Sequence, residues 1–148
     1  YDLVLSAQEA VLDNIKPGTS LKALTDISVR HIIKGLVELG ILVGDVEVLV
    51  KEQAHKAYYM HGLAHWIGLD VHDVGDYNQA GAERPLQAGM VFTVEPGIYI
   101  DLSSDCDSKW HGIGVRIEDN ILITDTGYVN LTEGVPKSVA DIESLMQE

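Results

Sequence analysis

The 148-residue chain has one cysteine, Cys106, one phenylalanine, and only 10 lysines and arginines against 23 aspartates and glutamates. A lone cysteine excludes an internal disulfide framework and fits a reducing compartment. The formal net charge of −13 argues against nonspecific binding to nucleic acid, whose phosphates favour lysine and arginine. No apolar run approaches the ~20 residues of a membrane-spanning helix. No basic segment followed by an apolar stretch opens the chain, so no secretory signal is visible. The expectation is a soluble, acidic, cytoplasmic protein with no nucleic-acid or membrane partner. Part of its acidity is expected from site carboxylates that balance only when a metal is bound.

With 46% hydrophobic residues, the chain can bury a real core, and its length fits one domain or part of a larger one. It begins at Tyr1, directly in a helical pattern, which reads as a fragment. Residues 2–14 carry apolar side chains at helical spacing (Leu3, Val4, Ala7, Val11, Leu12). Lys16-Pro17-Gly18-Thr19-Ser20 breaks the pattern, and Thr19 or Ser20 can cap a second helix reaching about Leu39, with Gly40 as its stop. A short helix is expected from Asp45 to about Gln53. Beyond Tyr58, glycines and β-branched residues increase. Strands are expected over Met90–Ile100, bent or ended at Pro96-Gly97, over Gly114–Ile123, and over Tyr128–Leu131 after a turn at Thr126-Gly127. A closing helix is expected over Asp141–Gln147. Helices first, then strands, then a helix, predicts an α+β fold with an antiparallel sheet.

His61-Gly62-Leu63-Ala64-His65-Trp66-Ile67-Gly68-Leu69-Asp70-Val71-His72-Asp73 places three histidines and two aspartates within thirteen residues. The glycines at 62 and 68 disfavour a long helix, so an irregular strand or loop is expected. Two later segments, Thr93-Val94-Glu95-Pro96-Gly97 and Gly114-Val115-Arg116-Ile117-Glu118-Asp119, each plant a carboxylate in an apolar strand-like run. Taken singly, each histidine reads as structural or exposed, and Glu95 as a surface residue at a strand end. Arg116 and Glu118, on one strand face at i and i+2, read as an exposed ion pair. Taken together, they form a partial shell for a divalent ion, because a buried carboxylate is costly unless something cationic neutralises it. Histidine with several carboxylates suits Mn²⁺, Co²⁺, Fe²⁺ or Zn²⁺. Two ions held by bridging carboxylates would activate a water for attack on an amide carbonyl.

At these residues the sequence resembles the aminopeptidase P family of the pita-bread metallopeptidase superfamily. The resemblance is carried by His61 to Gly75, by Gly89-Met90-Val91-Phe92-Thr93-Val94-Glu95-Pro96-Gly97-Ile98-Tyr99, and by His111-Gly112-Ile113-Gly114-Val115-Arg116-Ile117-Glu118-Asp119. It covers essentially the whole chain. Trp66 is more similar to the bacterial aminopeptidases than to prolidase, where phenylalanine is usual. The resemblance implies His65 as a ligand of one metal and Glu95 as a ligand that also transfers protons. It implies Glu118 as the carboxylate bridging two ions and His72 as a contact to substrate and the tetrahedral intermediate. His61 and Arg116 match supporting residues of the substrate pocket. The implied reaction removes an N-terminal residue when proline follows, with Mn²⁺ preferred.

The family shell has five protein ligands, two of them aspartates on an upstream β-hairpin that has no match here. Asp2 and Asp13 have a tempting separation but sit in an amphipathic helix pattern, so they are rejected as ligands. The resemblance therefore implies that residues 1–148 are the second half of the pita-bread catalytic domain. The first half and the N-terminal domain are expected to be absent, and the isolated chain to be inactive with a partial Mn²⁺ site. A lone half would leave sheet edges uncovered, so a homo-oligomer or another partner is expected. Two other functions stay open: a non-catalytic peptide- or protein-binding module, and a prolidase-like Xaa-Pro dipeptidase.

Overall fold

Residues 1–147 are described by a computed structural model. Its first part is an antiparallel helix pair, α1 (Asp2–Leu12) and α2 (Leu21–Glu38). α1 buries Val4, Ala7, Gln8 and Val11; α2 buries Leu21, Leu24, Ile32 and Leu36 among others. α1 ends two residues before the expected Asn14, with Asp13 as its C-cap. Ser20 caps α2, its hydroxyl accepting from Ala23 N at 3.1 Å. α2 ends in a Schellman motif. Gly40 takes φ +72°, Gly40 N donates to Val37 O and Ile41 N donates to Leu36 O. The accompanying apolar contact joins Leu36 and Ile41, both buried in one cluster.

The short helix α3 (Val46–Lys51) follows, capped by Asp45, and then a 3-10 turn at Ala54–Ala57. A two-residue hairpin, β1 (Asn78–Gln79) and β2 (Ala82–Glu83), was not expected. Ala80 and Gly81, both at positive φ, make its turn. The expected strand 90–100 divides into β3 (Val91–Val94) and β4 (Gly97–Tyr99). The expected strand 114–123 also divides, into β5 (Gly114–Arg116) and β6 (Asp119–Ile123). β7 (Tyr128–Asn130) completes an antiparallel sheet in the order β3-β6-β7, and β4 pairs antiparallel with β5. The closing helix α4 runs over Val139–Leu145, starting two residues earlier than expected because Ser138 is its cap.

Two buried clusters join the helices to the sheets. One packs Val4, Ile32 and Leu36 with Ile98, Ile100 and Ile117. The other packs Val11 and Leu24 with Leu63, Trp66, Phe92, Val94 and Ile121. Helices covering antiparallel strands is the α+β class that the order of elements predicts. Among the described residues, no helix is long and apolar enough to cross a membrane.

Candidate metal centre

The two strand breaks face each other. Val94 pairs with Asp119 and Gly97 pairs with Arg116. Both ladders have the same register, so carrying either through the gap puts Glu95 opposite Glu118 and Pro96 opposite Ile117. Pro96 has no N–H to give a ladder, which is why regular pairing lapses there. Glu95 N instead donates to Leu63 O at 2.9 Å. Its amide therefore points away from Glu118, and in such non-hydrogen-bonded pairs side chains lie closest.

Segment 63–67 runs antiparallel along the other side of β3. Thr93 N donates to His65 O, Ile67 N donates to Val91 O, and Trp66 bridges to Phe92. This is the irregular strand expected from the glycines, and it delivers His65 beside Glu95. His65 Nε2 lies 3.3 Å from Glu95 Oε1, and His65, Glu95 and Glu118 each offer a ligand atom within 4.8 Å of the others. Glu95 is buried, His65 is half-buried and Glu118 is exposed.

Hydrogen positions at His65 follow from its partners. Its Nδ1 is 3.1 Å from the Trp66 carbonyl, which can only accept, so Nδ1 carries the hydrogen. In the neutral ring Nε2 is then an acceptor. It faces Glu95 Oε1, another acceptor, which already receives the Thr93 hydroxyl at 3.0 Å. Two acceptors aimed at each other call for a shared proton or a cation. A backbone carbonyl on Nδ1 is also the outer support that metal-binding histidines use. The donor set therefore fits a divalent ion.

Arg116 Nη1 sits 3.3 Å from Glu95 Oε2, and its Nε donates to Tyr99 Oη at 2.6 Å. That hydrogen bond, and then the charges of Glu95 and Glu118, push the guanidinium pKa up. The Tyr99 hydroxyl also meets His61 Nε2 at 3.0 Å, while His61 Nδ1 donates to Gly62 O at 2.8 Å. His61 Nε2 is thus the acceptor and Tyr99 the donor. Gly97 makes room for this contact, since a Cβ there would come within 3.0 Å of His61 Nε2 and 2.8 Å of Tyr99 Oη. Tyr59 packs edge-on against the His61 ring at 5.0 Å. Burial pushes the Tyr59 pKa up to about 12, so it braces His61 as a neutral phenol.

His72 comes from the loop after Gly68, its ring edge-on to His65 at 4.3 Å. Asp73 organises that loop: its N–H donates to Trp66 O, and its carboxylate accepts from Leu69 N and Val74 N. A cavity of about 280 Å³ is lined by His61, His65, His72, Glu95 and Arg116. A larger groove of about 520 Å³ between α2 and α3 is lined by Lys22, Val29 and Val50 among others and, among the described residues, gathers no comparable ligand set. Asp2 and Asp13 stay at the two ends of α1.

Thr93, Tyr99 and Asp73 were not singled out as functional from sequence. A signal for two of them was present. Thr93, Glu95, Gly97 and Tyr99 alternate along one strand face, so a site at Glu95 recruits its neighbours two and four residues away. Asp73 has no comparable periodic signal.

A half-buried histidine facing two carboxylates at paired strand breaks, under a helix pair, is a donor set of the kind that metal-dependent proteins use. The model of metallopeptidase family M24 matches residues 1–125, and the chain belongs to that family. It is 54% identical over 146 residues to the Xaa-Pro aminopeptidase of Haemophilus influenzae, covering 99% of this chain and 34% of that protein. Aminopeptidase PepP of Pseudomonas aeruginosa superposes with a TM-score of 0.97 at 51% identity, covering 99% of this chain and 34% of the other. Zinc-substituted Escherichia coli aminopeptidase P in complex with product superposes at 0.95 with 51% identity, covering 99% and 33%. The chain spans about a third of the length of these relatives, and its fold is that of part of a pita-bread domain.

Proposed function

We propose that residues 1–148 are the second half of the catalytic domain of a dinuclear-metal Xaa-Pro aminopeptidase, which hydrolyses the bond between an N-terminal residue and a following proline. The observation that carries the reading is the acceptor-to-acceptor approach of His65 Nε2 and Glu95 Oε1 at 3.3 Å, with Glu118 within reach. The Xaa-Pro aminopeptidases among the relatives support the substrate class. His65, Glu95 and Glu118 would hold the metal, Mn²⁺ in this reading, and two further carboxylates would come from the rest of the whole protein. Bound ions would supply Lewis acidity and an activated water.

The protein's own groups have distinct tasks. Glu95 takes a proton from the attacking water and returns it to the proline nitrogen as the amide C–N bond breaks. The Thr93 hydroxyl and the Arg116 guanidinium hold its two oxygens in place. His72 offers an N–H to the scissile carbonyl oxygen as charge develops there. His61, tied to Tyr99, shapes the substrate end of the cavity.

The test is cleavage of a proline-second peptide by the Mn²⁺-loaded whole protein, with loss on chelation and little turnover by residues 1–148 alone. Robust turnover by the isolated chain would overturn the inactivity of the half. Peptide binding without cleavage by the loaded whole protein would replace the enzyme by a binding module. Preference for dipeptides over longer peptides would make it prolidase-like. Mn²⁺ titration of the isolated chain adds a check: weak or single-ion binding is expected. Two tight ions would mean that a second copy completes the shell.

A further inference from the structure

Gln8 lies on α1, outside the cavity, and is fully buried. Its neighbours on that helix face, Val4, Ala7 and Val11, are apolar. Its Nε2 donates to Val94 O at 3.2 Å and to Ile117 O at 3.2 Å. An amide NH₂ has two hydrogens, so one side chain can make both bonds at once. Val94 and Ile117 are the residues immediately before Glu95 and Glu118.

Ile117 needs that donor for a specific reason. By the shared register it stands opposite Pro96. Ile117 N donates to Pro96 O at 3.4 Å, and a continuous ladder would return an N–H from residue 96 to Ile117 O. Proline has none to return. The Gln8 amide supplies the missing donor from the helix layer and ties the same group to the partner strand at Val94. Leucine or methionine would fill the space without bridging the strands. Asparagine is a methylene shorter.

We propose that Gln8 is a positioning residue that sets the separation of Glu95 and Glu118 by holding the carbonyl preceding each of them. This rests on the metal-site reading above. It concerns geometry before the ion arrives, since both bonds join protein groups only.

The test is Co²⁺ titration of the whole protein, read by affinity and by the visible absorption bands that report coordination geometry. Gln8→Met keeps the volume and removes both donors. It should weaken Co²⁺ binding about tenfold, the lower end of what losing an outer-shell partner costs, and change the band shape. Pro96→Ala restores an N–H opposite Ile117, so the Gln8→Met/Pro96→Ala double variant should recover part of the affinity. Gln8→Met with unchanged Co²⁺ affinity and spectrum, whatever its melting temperature, overturns the inference, as does a double variant no better than Gln8→Met. If Gln8→Met fails to fold, Gln8→Asn decides: weaker binding with changed bands supports the role, and unchanged binding overturns it. An unsubstituted protein that takes up no cobalt fails at the metal reading itself and carries this inference down with it. A cobalt-binding parent with an indifferent Gln8 variant sinks this inference alone.

Discussion

The α1–α2 pair and the sheet segment around Glu95 treat local rules in opposite ways. On α2 the first turn is closed by Ser20, the last by a Schellman turn at Gly40, and the buried face is almost wholly apolar. Around Glu95 the strand stops at a proline, the opposite strand stops at Glu118, and a buried carboxylate faces an imidazole acceptor. The first region spends its sequence on stability. The second gives up regular pairing and places charge in the interior, which is where function is expected to break local consistency. Variants of the two regions should therefore separate folding from ion binding.

The largest stability effect should come from the helix pair. Leu24 is fully buried between α2 and the sheet, and Leu24→Ala should cost ~2–5 kcal/mol through lost burial and a residual cavity. Denaturant titration would measure it, with metal affinity per folded molecule unchanged. If the folded Leu24→Ala protein also lost its metal, the two regions would not be separable. Glu95→Gln should behave in the opposite way. Its amide can donate to His65 Nε2, so metal-free stability should stay level or rise, while metal affinity should fall by more than the ~100-fold that an outer-shell loss can cost. Calorimetric titration beside a melting curve reads both. A large drop in metal-free stability would mean that the Glu95 charge holds the fold together.

Tyr99→Phe tests the seam between the regions. The hydroxyl joins His61 to Arg116, and its loss should cost about 1 kcal/mol of stability. Metal affinity should drop by no more than about tenfold, since Tyr99 reaches Glu95 only through Arg116. A drop as large as that of Glu95→Gln would make Tyr99 part of the metal-holding set itself.

The same contrast explains what could be read from the sequence. Both long helices were legible because their signals are local: apolar spacing, a serine cap, a terminal glycine. His61, His65, His72, Glu95 and Arg116 were named together, and the fold lines one cavity with them. The breaks at Pro96 and Ile117 were half legible, since proline announces itself and its consequence on the facing strand depends on register. Gln8 was invisible as a site residue. It sits 86 residues from Val94 and 109 from Ile117, and its partners are main-chain carbonyls, which leave no side-chain pattern. Asp73 was hidden likewise, because its partners are the loop's own amides.

The smallest expected effect lies in the scaffold and depends on pH. His55 follows α3 in the 3-10 turn, edge-on to Tyr59 at 6.2 Å, with a buried Nδ1 that has no hydrogen-bond partner among the described residues. Burial, and then the charge of Lys56, lower its pKa from 6.5. Well above 6.5 the ring is neutral in both folded and unfolded chains and contributes nothing to the pH dependence. As pH falls below 6.5 the unfolded chain takes up a proton that the folded chain resists, so stability declines until the lowered folded pKa is passed, and then levels off. His55→Gln removes this titration, and the variant should gain on the parent between pH 7.5 and pH 5.5 in paired urea titrations. The gain should be modest because the ring is only half-buried. A stability difference that stays flat across that range would show that burial does not disfavour the charged ring, and the acid sensitivity of the fold would then belong to its carboxylates.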